Sequence, residues 1–199
     1  GVDDILSIEG KIDLLFCNAG FGVGGLFENA SLESIDKILN VNLLAHIKMT
    51  NLFAKHIREN GRIVFTGSMA SIIPLPYQAC YSVSKAGIES FSRALATELR
   101  PRKIKVVTVM PGDVNTNFTA NRIKEVGDDK KEAHGISKME ESERKGSTPD
   151  YVAKRVVKIV KRKNPPLRVS IGFIWKFVAF LVKIFPVRFV NFLVRIIYV

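Results

Sequence analysis

The sequence predicts an α/β fold built on a parallel sheet and followed by an amphipathic helical tail. Three observations carry this. Short apolar runs at Ile12–Phe16, Arg62–Thr66 and Ile104–Met110 alternate with helical patterns over 31–58 and 81–100. Connections of that length allow crossovers, so the strands run parallel. The charge is also one-sided. All 19 acidic residues precede position 151 and are matched there by as many Lys and Arg, so the net charge of +11 falls on 151–199. A cationic, apolar tail faces an anionic surface.

At 199 residues, 47% apolar and 25% charged, the chain can bury one sizeable core and is not disordered. Cys17 and Cys80 have no metal-ligand spacing, and two thiols make no disulfide framework. This places the chain in a reduced, cytoplasmic setting. Residues 1–6 read as the end of a helix already under way, and the chain as a fragment.

In order, Ile12–Phe16 reads as a buried strand ending in Cys17-Asn18-Ala19-Gly20-Phe21-Gly22. Small residues there let a backbone or ligand approach closely, although the plainer reading is a tight turn. Ser31 caps a helix that runs to about Arg58, with Ile35, Ile38, Leu39, Val41, Leu44 and Ile47 on its apolar side. Asn40 and Asn42 sit in its middle, where Asn is a poor helix former. Asn60-Gly61 marks a turn into the strand Arg62–Thr66. Pro74 and Pro76 keep 72–77 out of a helix. Tyr81–Arg100 is the next helix, its Ile88, Phe91, Leu95 and Leu99 facing core or a subunit contact, and Pro101 stops it. Ile104–Met110 leads into Pro111-Gly112-Asp113-Val114-Asn115-Thr116. Residues 117–147 show no clear periodicity and read as a long loop, either a lid or disordered. Thr148-Pro149 starts a helix ending near Lys163, and Leu167–Ile171 is a last strand.

Chemistry concentrates at Ser68–Lys85. Tyr81 and Lys85 are four apart, so they share a helix face. An ammonium fixed beside a phenol lowers the phenol's pKa and makes it a proton donor or acceptor near neutral pH. Ser68, just past a strand, brings a hydroxyl to the same point.

These residues, with others in order along the chain, resemble the short-chain dehydrogenase/reductase family. The likeness covers 12–172. Asn18-Ala19-Gly20 looks like the family's Asn-Ala-Gly turn, and Asn42 falls on its catalytic Asn. Ser68 falls on the catalytic Ser, and Tyr81 and Lys85 match its Tyr-x-x-x-Lys pair. Pro111, Gly112, Val114 and Thr116 lie in a segment similar to the Pro-Gly-x-x-x-Thr run that contacts the nicotinamide end.

The resemblance implies a doubly wound, Rossmann-like domain using NAD or NADP. Its reaction is hydride transfer between nicotinamide and an alcohol or carbonyl. By that analogy Tyr81 donates the proton, Lys85 tunes Tyr81 and holds the ribose, and Ser68 positions the substrate oxygen. Asn42 interrupts the helix and holds a proton-relaying water. Helices 32–58 and 81–100 form a subunit interface, so a homo-oligomer is expected. One feature departs from the family. No Gly-x-x-x-Gly-x-Gly turn precedes Ile12, although the family cradles the cofactor pyrophosphate on such a turn. Residues 1–199 are therefore expected to bind the cofactor weakly, and to hold the catalytic part (1–170) plus the tail (171–199).

The tail has 22 apolar residues among its 29, with Lys176 and Lys183 seven apart, Arg188 and Arg195 seven apart, and Pro186 between the two segments. Each segment is too short to span a bilayer. Two amphipathic helices in a membrane interface are expected, or helices that cover the substrate pocket. The apolar content argues against nucleic acid. Together these features point to an oxidoreductase on an apolar, lipid-like substrate at a membrane surface. The other reading is a catalytically silent chain acting through association.

Overall fold

The computed structural model describes residues 4, 5, 7 and 10–199. The expectation for residues 1–6 lies mostly outside them. Four strands form one parallel sheet in the order β1 (Ile12–Cys17), β3 (Ile57–Thr66), β4 (Lys105–Pro111), β6 (Arg168–Ile171). Strand residues alternate between faces, so the apolar runs supply two cores. Ile63, Phe65 and Val106 pack with Ile88 and Leu95 of helix α3 (Ala79–Glu98). Val64, Val107 and Val109 pack with Ile159 of α5 (Pro149–Val160) on the opposite face. The sheet is doubly wound, in a Rossmann-like arrangement. On β1, Leu14 and Phe16 point to the α5 side yet remain 41% and 46% exposed.

The predicted helix 31–58 divides. Ser31 caps it, its hydroxyl accepting from the Ser34 N–H at 3.1 Å. Helix α1 (Leu32–Leu39) passes through a single π-helical turn, Asn40–Leu44, into α2 (Ala45–Ala54). The two asparagines mark that turn. The helix ends at Ala54, short of Arg58, because Ile57 is buried in β3. Asn60, at φ 63°, and Gly61 form a bulge inside β3 and not a separate turn before it. A Cβ on Gly61 would lie 2.8 Å from the Arg58 carbonyl, so the bulge needs glycine.

The largest departure lies in 117–147. Val23–Gly24 (β2) pairs in parallel with Ile123–Lys124 (β5), so part of the Gly-rich stretch is a strand. Lys130–Arg144 is a helix, α4, capped by Asp129, which accepts from the Lys131 N–H at 2.7 Å. Its buried face carries Ile136 and Met139 but also Glu132, Gly135 and Glu140. A buried face that is half acidic or glycine shows no apolar period. Thr148 caps α5 with Pro149 at its first position, as expected. The tail folds as α6 (Phe173–Ile184) and α7 (Val187–Tyr198), separated at Pro186. Among the described residues no helix is long and apolar enough to cross a membrane.

Candidate active site

Ser68, Tyr81 and Lys85 converge beyond the C-terminal end of β3, on a cavity of about 1290 Å³. Ser68 opens a 3-10 turn, Met69–Ser71, and its Oγ accepts from the Ala70 N–H at 3.1 Å. That bond uses an oxygen lone pair and leaves the hydroxyl proton to give. Tyr81, in the first turn of α3, packs edge-on against Phe118, ring centroids 5.7 Å apart.

Burial raises the Tyr81 pKa. A hydrogen bond with Ser68 and the Arg122 charge pull it down, while Glu143 pushes it up. The expectation that Lys85 holds this phenol low is therefore not met here. The Lys85 ammonium lies over the Tyr81 ring, 5.7 Å from its centroid, and donates to the Thr66 carbonyl at 3.0 Å. Dehydration outweighs a cation placed over the ring face.

Lys85 is itself pushed down to about 8 by burial. Between pH 8 and its ordinary 10.5 the unfolded lysine holds a proton that the folded one has lost. Stability should thus rise across that window and fall as pH drops back through it, by on the order of 3 kcal/mol. Lys85→Met should be the more stable protein at pH 7 and should lose most of this pH dependence in urea melts. Equal pH slopes for the two proteins would refute the assignment.

The turn after β1 completes one wall. The Asn18 Oδ1 accepts from the Thr66 hydroxyl at 2.7 Å. A Cβ on Gly20 would lie 3.1 Å from the Asn42 Oδ1 and 3.5 Å from the Lys85 Nζ, so glycine lets this turn close on both. Asn42, fully buried in the π turn, spends its amide on Phe21: Nδ2 donates to the carbonyl at 2.8 Å and Oδ1 accepts from the N–H at 3.0 Å. It stands behind Gly20 and clamps the turn. Asn18, Gly20, Pro111, Gly112, Val114 and Thr116 line the cavity with Tyr81 and Lys85, whereas Ala19 and Asn42 do not.

Several residues at the site carry no sequence signal. Arg122, its side chain wholly buried, pairs with Glu143, and Glu143 lines the cavity. Asp113 also lines it, accepts from the Ser142 hydroxyl at 2.6 Å, and has its pKa raised by burial. His46 is buried in α2. Burial and the Lys85 charge lower its pKa, partly offset by the Ala19 backbone, and neither ring nitrogen makes a well-aligned hydrogen bond. Trp175 is the least expected. Its indole rests directly on Gly112, where any Cβ would overlap it. Read as one more apolar tail residue, it is the chain's single tryptophan and part of the cavity wall.

The cavity fits the nicotinamide–ribose end of a dinucleotide. Gly20 leaves its backbone bare there, a buried ammonium and two hydroxyls supply the polar groups, and the Trp175 indole covers Gly112. The described residues before β1 offer no Gly-rich cradle for a pyrophosphate.

A doubly wound parallel sheet with Ser, Tyr and Lys converging past its strand ends defines a Rossmann-like protein of the oxidoreductase type. The chain belongs to the short chain dehydrogenase family, whose model matches residues 1–127. It is 37% identical over 179 residues to a 3-ketodihydrosphingosine reductase of Bacteroides thetaiotaomicron, covering 86% of this chain and 66% of that protein. It is 31% identical to an NADPH-dependent 1-acyldihydroxyacetone phosphate reductase of Saccharomyces cerevisiae, over 82% of this chain and 57% of that one. A Burkholderia cenocepacia short chain dehydrogenase, solved in complex with NADP, superposes with a TM-score of 0.68 at 31% identity, over 86% of this chain and 68% of that one. The chain thus spans between about half and two thirds of the length of these two curated relatives.

Proposed function

We propose that this chain carries the proton-transfer and nicotinamide-binding part of an NAD(P)-dependent reductase acting on a long-chain, lipid-like ketone or alcohol. The observation that carries this is the convergence of Ser68, Tyr81 and Lys85 on a large cavity whose remaining walls are mostly apolar. Ile73, Leu75, Val156, Val178 and Val182 are among the lining residues and suit an alkyl chain. The names of the two relatives, both reductases of lipid-like compounds, support the same class.

A nicotinamide held beside Gly20, Lys85 and Thr116 would supply or accept the hydride. The chain's own residues do the rest. Ser68 turns the proton it gives to the Tyr81 oxygen toward the substrate oxygen and fixes the carbonyl beside Tyr81. Tyr81, kept neutral by burial, passes its proton to that oxygen as charge develops. Lys85 holds a positive charge behind the ring and a donor toward the ribose. Asn42 and Gly20 keep the turn pressed against Lys85. The cofactor is NAD or NADP. The exposed Leu44, Met49, Leu52 and Val83 of the α1–α3 face offer a second copy a contact surface. The cationic, apolar tail supports a cytoplasmic protein peripheral to a membrane surface.

Reduced nicotinamide mononucleotide, which lacks the adenosine half, tests this reading. With a long-chain ketone, residues 1–199 should oxidise it with a kcat/KM within about tenfold of that for NADPH. Absence of ketone-dependent oxidation of either donor at 340 nm would remove the enzymatic reading.

A further inference from the structure

Helices α6 and α7 have two apolar faces, and only one of them is covered. The inner face belongs to the cavity: Trp175, Val178 and Val182 of α6, and Val190, Leu193 and Val194 of α7, line it. On the opposite side of α6, Phe173, Phe177, Phe180 and Ile184 form a stripe at helical spacing, with Phe173 86% exposed. Phe192 and Ile196 continue that outer side on α7, and Val187 at the junction is 74% exposed. A helix apolar all round is ordinarily buried on all sides. Here nothing among the described residues covers the outer face.

The charges beside this stripe say what fits it. Lys176 and Lys183 border it on α6, and Arg188 and Arg195 on α7. Among the described residues none of the four is in an ion pair, and no acidic residue follows Asp150. Apolar rings flanked by unpaired cations match acyl chains beneath anionic headgroups. Each helix has 12 residues, about 18 Å, and lies along such a surface without crossing it. The two faces also meet. Phe185 and Phe189, packed across Pro186 with ring centroids 5.0 Å apart and planes tilted by 39°, line the cavity and are exposed as well.

We propose that the outer face of α6 and α7 docks on an anionic lipid leaflet, and that the Phe185–Phe189 seam admits an acyl chain from the leaflet into the cavity. The second half rests on the lipid-reductase reading above.

Flotation of residues 1–199 with phosphatidylcholine vesicles, with and without phosphatidylserine, tests the first half. Binding is expected with phosphatidylserine and should weaken with salt. Reversing the four cations (Lys176→Glu, Lys183→Glu, Arg188→Glu, Arg195→Glu) should lower partitioning by about tenfold or more. Phe177→Ser with Phe180→Ser should lower it even in low salt. All these positions are exposed, and an unchanged circular dichroism spectrum confirms that each variant folds. Absence of flotation, or flotation indifferent to both variants, overturns the docking. So does a dimer that the Phe→Ser pair dissociates in place of vesicle binding, because the face would then belong to a second copy. Acyl chains brominated along their length test the seam, since the only indole is Trp175. Its fluorescence should be quenched in the vesicle-bound protein, and unquenched fluorescence overturns the seam. Neither readout needs cofactor or turnover, so failure here leaves the mononucleotide assay untouched, and the reverse holds.

Discussion

Tyr81→Phe is expected to lower turnover by about 10²–10⁴-fold while leaving the fold intact. The substitution removes one oxygen. The ring keeps its edge-on packing against Phe118, and Ser68 keeps its bond to the Ala70 N–H. Loss of the hydroxyl's bond with Ser68 should cost about 1 kcal/mol, too little to unfold the domain. kcat and kcat/KM should fall together, because the proton is needed in the transition state and not for binding. The raised Tyr81 pKa adds a pH signature. Reduction, which uses the protonated phenol, should hold its rate well into alkaline pH, whereas oxidation, which needs the phenolate, should climb with pH. Retention of more than a tenth of the wild-type rate in the Phe variant would mean that another group moves the proton.

Glu132→Ala is expected to be the most damaging single change away from the chemistry. Glu132 is fully buried and carries no ion pair among the described residues. Its carboxylate accepts from the backbone N–H groups of Leu26 and Gly127, the latter at 2.9 Å. It thereby ties the segment after β2 to the segment before α4. Truncation takes the acceptor from the half-buried Leu26 N–H and the exposed Gly127 N–H and opens a void, which should cost about 2–5 kcal/mol. The urea midpoint should move down without a change in slope. Glu132→Gln keeps an acceptor for one donor but sets an NH₂ against the other, so it should fall between. An unchanged midpoint in the Ala variant would show that these segments hold without the carboxylate.

The sequence was most informative where structure is local. Strands β1, β3 and β4, helix α3, the Ser31 and Thr148 caps and the break at Pro186 all follow from patterns a few residues long. Tyr81 and Lys85 share a face because helix geometry alone puts residues four apart together. Asn40 and Asn42 flagged an irregularity whose form, a π turn, only the backbone displays. Segment 117–147 was misread because α4 is held by polar burial. Its Glu132 answers the Leu26 N–H, 106 residues away, and its Glu143 answers Arg122. No periodicity records such pairs.

The parallel α/β class, the shared face of Tyr81 and Lys85 and the pair of cationic apolar tail helices were legible in residues close along the chain. Only the packed chain shows how deeply Tyr81 is buried, which raises its pKa. The tertiary structure also decided that Trp175 rests on Gly112 and that one face of the tail walls the cavity while the other lies bare. Those outcomes depend on which distant atoms exclude water from one another, and only the packed chain specifies that.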